Sequence, residues 1–185
     1  LYGSDGTYTV QLVAISNYSC TDTVISDVVI FPLPKTLFYV DAVCDGLPSL
    51  FTDSTKINSG TITNFSWNFG DGTNSIEQNP EQQFLNAGTY FVELTTTSDK
   101  SCTTSYGENV KVYIAPIASF TVDNVCFQQS IAPVNNSISD EGQLTYEWVF
   151  GDGDTSTVTN PTHLYVNPLT YSLQLNILSS FGCAD

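Results

Sequence analysis

The sequence predicts an all-β fold made of tandem antiparallel β-sandwich units, and three observations carry the prediction. A block of residues recurs along the chain at a near-constant interval, the mark of a repeat architecture. Within each block, apolar residues alternate with polar ones in short runs bounded by Gly, Pro, Asn and Asp, as half-buried strands require. No stretch carries a capped apolar period of 3.6 residues, so little or no helix is expected.

The repeat is read from matched residues. Trp67-Asn68-Phe69-Gly70-Asp71-Gly72 returns as Trp148-Val149-Phe150-Gly151-Asp152-Gly153, an offset of 148 − 67 = 81. Asn79-Pro80 returns as Asn160-Pro161 at the same offset. Phe38, Val40, Asp41, Val43 and Cys44 match Phe120, Val122, Asp123, Val125 and Cys126, at 126 − 44 = 82. Gly88-Thr89-Tyr90, Val92 and Leu94 match Gly6-Thr7-Tyr8, Val10 and Leu12, at 88 − 6 = 82, and the third copy reads Thr170-Tyr171, Leu173 and Leu175. This register assigns residues 1–34 to the C-terminal part of one unit, 35–115 to a complete unit, and 116–185 to a unit lacking its last strand. Both ends are expected to cut through repeats of a longer protein. Short junctions at Pro34 and Pro116, without a Gly/Ser tether, point to restricted, rod-like stacking.

Taken in order, Phe38-Tyr39-Val40-Asp41-Ala42-Val43 alternates as a first strand. Phe65, Trp67 and Phe69 share one buried face of the next clear strand. Gly70-Asp71-Gly72 then offers residues that tolerate positive φ, as a tight hairpin demands. Tyr90, Val92 and Leu94 form the inward face of the longest strand. Trp67 and Trp148, alternating with Phe65/Phe69 and Tyr146/Phe150, read as core residues rather than sugar-stacking platforms.

Composition excludes several functions. Hydrophobic residues make up 41% of the 185, enough for packed cores, while only four Lys and no Arg face 19 Asp+Glu, a net charge of −15. Nucleic-acid phosphates and anionic lipids need basic clusters that are absent. No apolar run approaches the ~20 residues of a membrane span, so no membrane insertion is expected.

The five cysteines follow the repeat. Cys44 and Cys102 are separated by 102 − 44 = 58 residues, Cys126 and Cys183 by 183 − 126 = 57. The expected bridges are therefore Cys44–Cys102 and Cys126–Cys183, with Cys20, equivalent to Cys102, directed to an upstream partner. Each requires Cα atoms within roughly 7 Å. Thiolate metal ligation is the weaker alternative, because no Cys-x-x-Cys occurs and His163 is the only histidine. Disulfides imply an oxidising compartment.

Trp67 to Gly72, Asn79-Pro80 and Gly88-Thr89-Tyr90-Phe91-Val92 resemble the signature of PKD (polycystic kidney disease) domains, and Trp148 to Gly153, Asn160 to Tyr165 and Thr170-Tyr171 repeat it. Leu169 departs from it, standing where the family usually has Gly. The resemblance covers effectively the whole chain. It implies tandem immunoglobulin-like sandwiches of about seven antiparallel strands each. The structural motif residues are then Trp67, Phe69, Asp71 and Tyr90, with Trp148, Phe150, Asp152 and Tyr171 in the second copy. Tyr90 and Tyr171 suit a tyrosine corner, in which the hydroxyl bonds back to the backbone. The paired cysteines, with Asp41-Ala42-Val43-Cys44 and Cys183-Ala184-Asp185, resemble PKD arrays in cell-surface proteins of Bacteroidota, including gliding-motility adhesins exported by the type IX secretion system.

Asp71, Asp152 and Asp154 lie at turns, where the expected role is hydrogen bonding to their own turn backbone. No cofactor is expected. By analogy with calcium-binding PKD domains of secreted collagenases, the calcium candidates are Asp41, Asp45, Asp99 and Asp123. No catalytic residue is assigned: a Ser-His-Asp triad would have only His163 to use, and that position reads as structural. Asn17, Asn64 and Asn135 begin N-glycosylation patterns that matter only in a eukaryotic host.

The reading is a non-catalytic, extracellular or cell-surface repeat segment acting as a stalk or filament in adhesion or gliding. The alternative is an accessory, substrate-presenting module of a secreted hydrolase. Expected partners are neighbouring repeats of the same long chain, with self-assembly and surface glycans or proteins as further candidates. The unclosed last unit offers the edge Ser172–Leu178 to a strand from another chain.

Overall fold

Why the chain folds entirely into strands follows from its period-two runs, and the computed structural model, which describes residues 1–185, bears this out without a helix. The first hairpin pairs β1 (Gly6–Ile15) with β2 (Thr21–Ile30). The middle repeat supplies β3 (Phe38–Val40), β4 (Val43–Cys44), β5 (Pro48–Asp53), β6 (Ile62–Asn68), β7 (Asn74–Ser75), β8 (Glu81–Gln83), β9 (Gly88–Ser98) and β10 (Thr103–Tyr113). They form two sheets, β4-β10-β9-β6-β7 and β3-β5-β8, the arrangement of an immunoglobulin-like sandwich. The third repeat supplies β11 (Phe120–Thr121), β12 (Val134–Asn135), β13 (Leu144–Val149), β14 (Thr155–Ser156) and β15 (Gln174–Ser179), in sheets β11-β12 and β14-β13-β15.

Equivalent registers show that the repeat is structural as well as sequential. Trp67 pairs with Leu94 and Ser75, and Trp148 with Leu175 and Ser156. Two departures from the sequence reading have physical reasons. The expected strand Phe38–Val43 is broken at Asp41-Ala42, because β3 and β4 belong to different sheets. In the third repeat the long strand begins only at Gln174, the equivalent of Glu93, because β15 pairs with β13 alone whereas β9 is also paired with β10.

Backbone contacts divide the chain into two compact units: Leu1–Tyr39, Thr52–Pro80 and Val92–Glu108, and Val40–Phe51, Glu81–Phe91 and Asn109–Asp185. In the first, Trp67 is fully buried, edge-on to Phe38 at 5.1 Å and stacked with Phe69 at 6.0 Å. The β1–β2 hairpin of this unit leaves Leu12 65% exposed, although its equivalent Leu94 is buried. In the second, Trp148, Phe150, Leu175, Ile177 and Ile131 form a core, with Phe120 edge-on to Trp148 at 5.2 Å.

Burying an indole requires a partner for its N–H. Trp67 Nε1 donates to the Glu77 carbonyl at 2.9 Å and Trp148 Nε1 to the Val158 carbonyl at 3.0 Å. Tyr8, Tyr90 and Tyr171 each donate a hydroxyl to a carbonyl four residues upstream, at Ser4, Asn86 and Asn167. Trp67→Ala and Trp148→Ala should each cost about 3–5 kcal/mol, measured by urea denaturation followed by far-ultraviolet circular dichroism. A loss below about 1 kcal/mol would contradict a core role.

Candidate functional site

Two of the five cysteines meet, and they come from different repeats rather than from one. Cys44 is bonded to Cys183, with Cα atoms 5.7 Å apart and a sequence separation of 139. The expected pairs Cys44–Cys102 and Cys126–Cys183 are thereby corrected: Cys20, Cys102 and Cys126 are free. The reason lies in β10. Cys102 precedes that strand, whereas Cys44 pairs with Tyr113 at its last residue. Extended chain rises about 3.3 Å per residue, so the length of β10 exceeds any disulfide's reach several-fold.

Each hairpin cysteine is presented by the same turn. The Ser98 N–H donates to the Cys102 carbonyl at 2.9 Å, and the Ser101 N–H to the Ser98 carbonyl at 2.9 Å. Ser98 Oγ accepts from the Cys102 N–H at 3.2 Å. The same three bonds recur as Ser16, Ser19 and Cys20 and as Ser179, Gly182 and Cys183. Ser19 and Ser101 both adopt φ 61, a left-handed conformation that Gly182 (φ 85) reaches without strain. Sequence reasoning missed this turn, although a serine stands four residues before every hairpin cysteine.

Around the bond, the second unit packs a compact joint. Tyr113 stacks on Phe181 with ring centroids 4.3 Å apart, and Lys111 Nζ lies 4.4 Å from the Tyr113 ring centre. Lys111 also pairs with Glu141 at 3.3 Å, and Glu141 accepts from the Ile114 N–H. The Asp45 carboxylate accepts from the Ala115 N–H at 2.6 Å, and the Asp45 N–H donates to Tyr113. The chain between β10 and the next repeat is therefore tied down. In the first unit, Lys100 stands 5.8 Å above Phe31, the equivalents of Phe181 and Tyr113, and Thr36, Thr96 and Thr104 share short hydroxyl contacts of 2.6 Å.

The calcium candidates are dispersed. Asp45 is used in the joint, and Asp99 pairs with Lys100 at 3.3 Å and accepts from the Thr61 N–H. Asp41 and Asp123 are exposed. No three ligand-type side chains gather among these four. One group does gather elsewhere: Asp152, Asp154 and His163 bring their ligand atoms within 4.8 Å, a set that could hold a divalent cation. Here His163 Nε2 lies 2.7 Å from Asp152, with its ring stacked on Phe150 at 4.1 Å and edge-on to Tyr165 at 4.6 Å. The Gly-Asp-Gly segments are turns as read, with Asp71 accepting from the Thr73 N–H at 2.9 Å and Asp152 from the Asp154 N–H at 3.1 Å.

Desolvation pushes the Asp152 carboxyl up, but the His163 hydrogen bond, the Asp154 N–H and the imidazole charge outweigh it, so the group lies below the usual carboxylate range. A depressed folded value contributes stability above the unfolded value of about 4, lost as pH falls through the folded one.

A family model described as PKD domain matches residues 32–114 and 113–185. The chain belongs to the PKD domain family, whose members are non-catalytic modules. It is 50% identical over 44 residues to Collagenase ColA of Bacillus cereus, covering 24% of this chain and 5% of that protein. It is 22% identical over 140 residues to the pre-pro-metalloprotease PrtV of Vibrio cholerae, covering 75% of this chain and 15% of that protein. The chain thus spans only a small part of these curated relatives' length. Among solved structures, the PKD1 domain from the Vibrio cholerae metalloprotease PrtV is 30% identical, with a TM-score of 0.40, covering 45% of this chain and 98% of that one. No helix is long and apolar enough to cross a membrane.

Two outcomes are expected. Asp152→Asn should lower the melting temperature at neutral pH and flatten its fall below about pH 4, with little difference from wild type once the carboxyl is protonated. Gly182→Ala places a Cβ 2.9 Å from the Ala42 Cβ at a left-handed position. It should cost at least ~1–2 kcal/mol by urea denaturation, whereas Ser101→Gly, at the equivalent turn, should be neutral or stabilising.

Proposed function

We propose that this chain is a passive spacer in an extracellular protein, holding the regions on either side apart through repeats whose junction is covalently stapled. The observation that carries this reading is the bond from Cys44 in the middle repeat to Cys183 in the third. Closing a loop of this size removes about 5 kcal/mol of unfolded-chain entropy on the loop-closure model. The bond also fits an oxidising compartment. The repeat boundaries 1–34, 35–115 and 116–185 are part of the proposal, because each equivalent turn recurs at the register they define.

The finer reading is a stalk or filament in a cell-surface adhesin or gliding apparatus, with neighbouring repeats as its partners and type IX secretion as its route. Tandem copies and the acidic, Arg-free composition support it. The second reading is an accessory module of a secreted hydrolase, favoured by relatives named as a collagenase and a metalloprotease.

Force spectroscopy on the chain held by its ends tests the spacer. The oxidised chain should keep hidden the 139-residue separation between the bonded cysteines, about 480 Å of contour at ~3.5 Å per residue. Reductant should release it. Equal contour lengths with and without reductant would refute the staple, and retention of the chain on insoluble collagen or chitin would favour the accessory module.

A further inference from the structure

We propose that Cys126, Cys102 and Cys20 are half-sites of the same inter-repeat bond. In this arrangement, the first-strand cysteine of each repeat closes onto the hairpin cysteine of the repeat that follows. A longer array would then be sewn by staggered disulfides, one at every junction.

Two independent geometries carry this. On the hairpin side, Cys20, Cys102 and Cys183 sit in the same turn with the same three hydrogen bonds, and only Cys183 is bonded. On the other side, Cys126 repeats the turn that follows Cys44. The Leu47 N–H donates to the Cys44 carbonyl at 3.3 Å, and the Gln129 N–H to the Cys126 carbonyl at 3.0 Å. Gly46 (φ 69) and Gln128 (φ 70) take the same left-handed conformation within those turns. A non-Gly residue held there points to a turn that the fold over-determines.

The surroundings differ: Cys44 is buried in β4 and paired with β10, whereas Cys126 is exposed and lies outside any strand. Val43, beside bonded Cys44, is 1% exposed, whereas Val125, beside free Cys126, is 41% exposed and borders an open cleft with Phe127, Tyr165, Leu169 and Tyr171. The occupant is another copy of this repeat. It supplies a Ser-x-x-x-Cys hairpin turn, whether from further along the same polypeptide or from a second molecule. Each bond forms by thiol–disulfide exchange with a disulfide-bearing oxidant. Two thiols lose two electrons and two protons, a sulfur–sulfur bond forms, and the oxidant's disulfide becomes a dithiol.

The inference deepens the spacer reading and rests on it. Its test is proteolytic mapping, without reduction, of the full-length secreted protein after free thiols are blocked with iodoacetamide. The expected result links Cys44 to Cys183, links Cys126 to a Ser-x-x-x-Cys hairpin peptide, and leaves Cys126 and Cys102 unalkylated. A band that falls to monomer mass on reduction assigns the partner to a second molecule, and an unchanged mass assigns it to the same chain. Alkylated Cys126 or Cys102 beside an intact Cys44–Cys183 bond would overturn the ladder while leaving the spacer standing. Recovery of Cys44–Cys102 or Cys126–Cys183 would overturn both.

Discussion

The covalent bond from Cys44 to Cys183 is the constraint on which the arrangement at the second junction depends. It ties a two-residue strand at the base of one repeat to a hairpin turn of the next. Around it, the Tyr113–Phe181 stack, the Lys111–Glu141 pair and the Asp45 backbone bonds leave the connecting residues few free dihedrals. Individually, such exposed ion pairs and cation–π contacts are worth little. Bridged by a disulfide, they need only choose among the few geometries that the bond still allows.

Related chemistry stands at both junctions: the first two repeats each carry an aromatic residue near the end of the closing strand, Phe31 and Tyr113, and a residue of the following repeat's cysteine turn, Lys100 and Phe181, lies against that ring. Interior demands shape the rest of each repeat. A buried tryptophan requires a carbonyl for its N–H, and a Gly-Asp-Gly turn brings the chain back so that Glu77 or Val158 provides one. Core and junction are thus built from separate residues, which lets the core repeat almost unchanged.

Much of this was legible in the residues themselves. Period-two alternation marks the strands, and the recurrence of Trp67 as Trp148 marks the cores, because burial and pleating act on nearest neighbours in the chain. Disulfide pairing was not legible, for a definite reason. In a translational repeat, a bond within one copy and a bond to the next use the same two positions, so 102 − 44 = 58 and 183 − 44 = 139 are equally regular. Only the three-dimensional length of β10 separates them. The switch of β3 and β4 between sheets was hidden likewise, since an alternating hexapeptide does not reveal which partner each half chooses. The Asp152–His163 contact escaped because Gln82 replaces the histidine in the other copy, leaving no recurrence to notice.

Long-wavelength X-ray diffraction from crystals of the oxidised chain would locate the sulfur atoms by their anomalous signal and so show which cysteines are bonded. A fused pair of sulfur peaks is expected at Cys44 and Cys183. A fused pair at Cys44 and Cys102 would contradict the account.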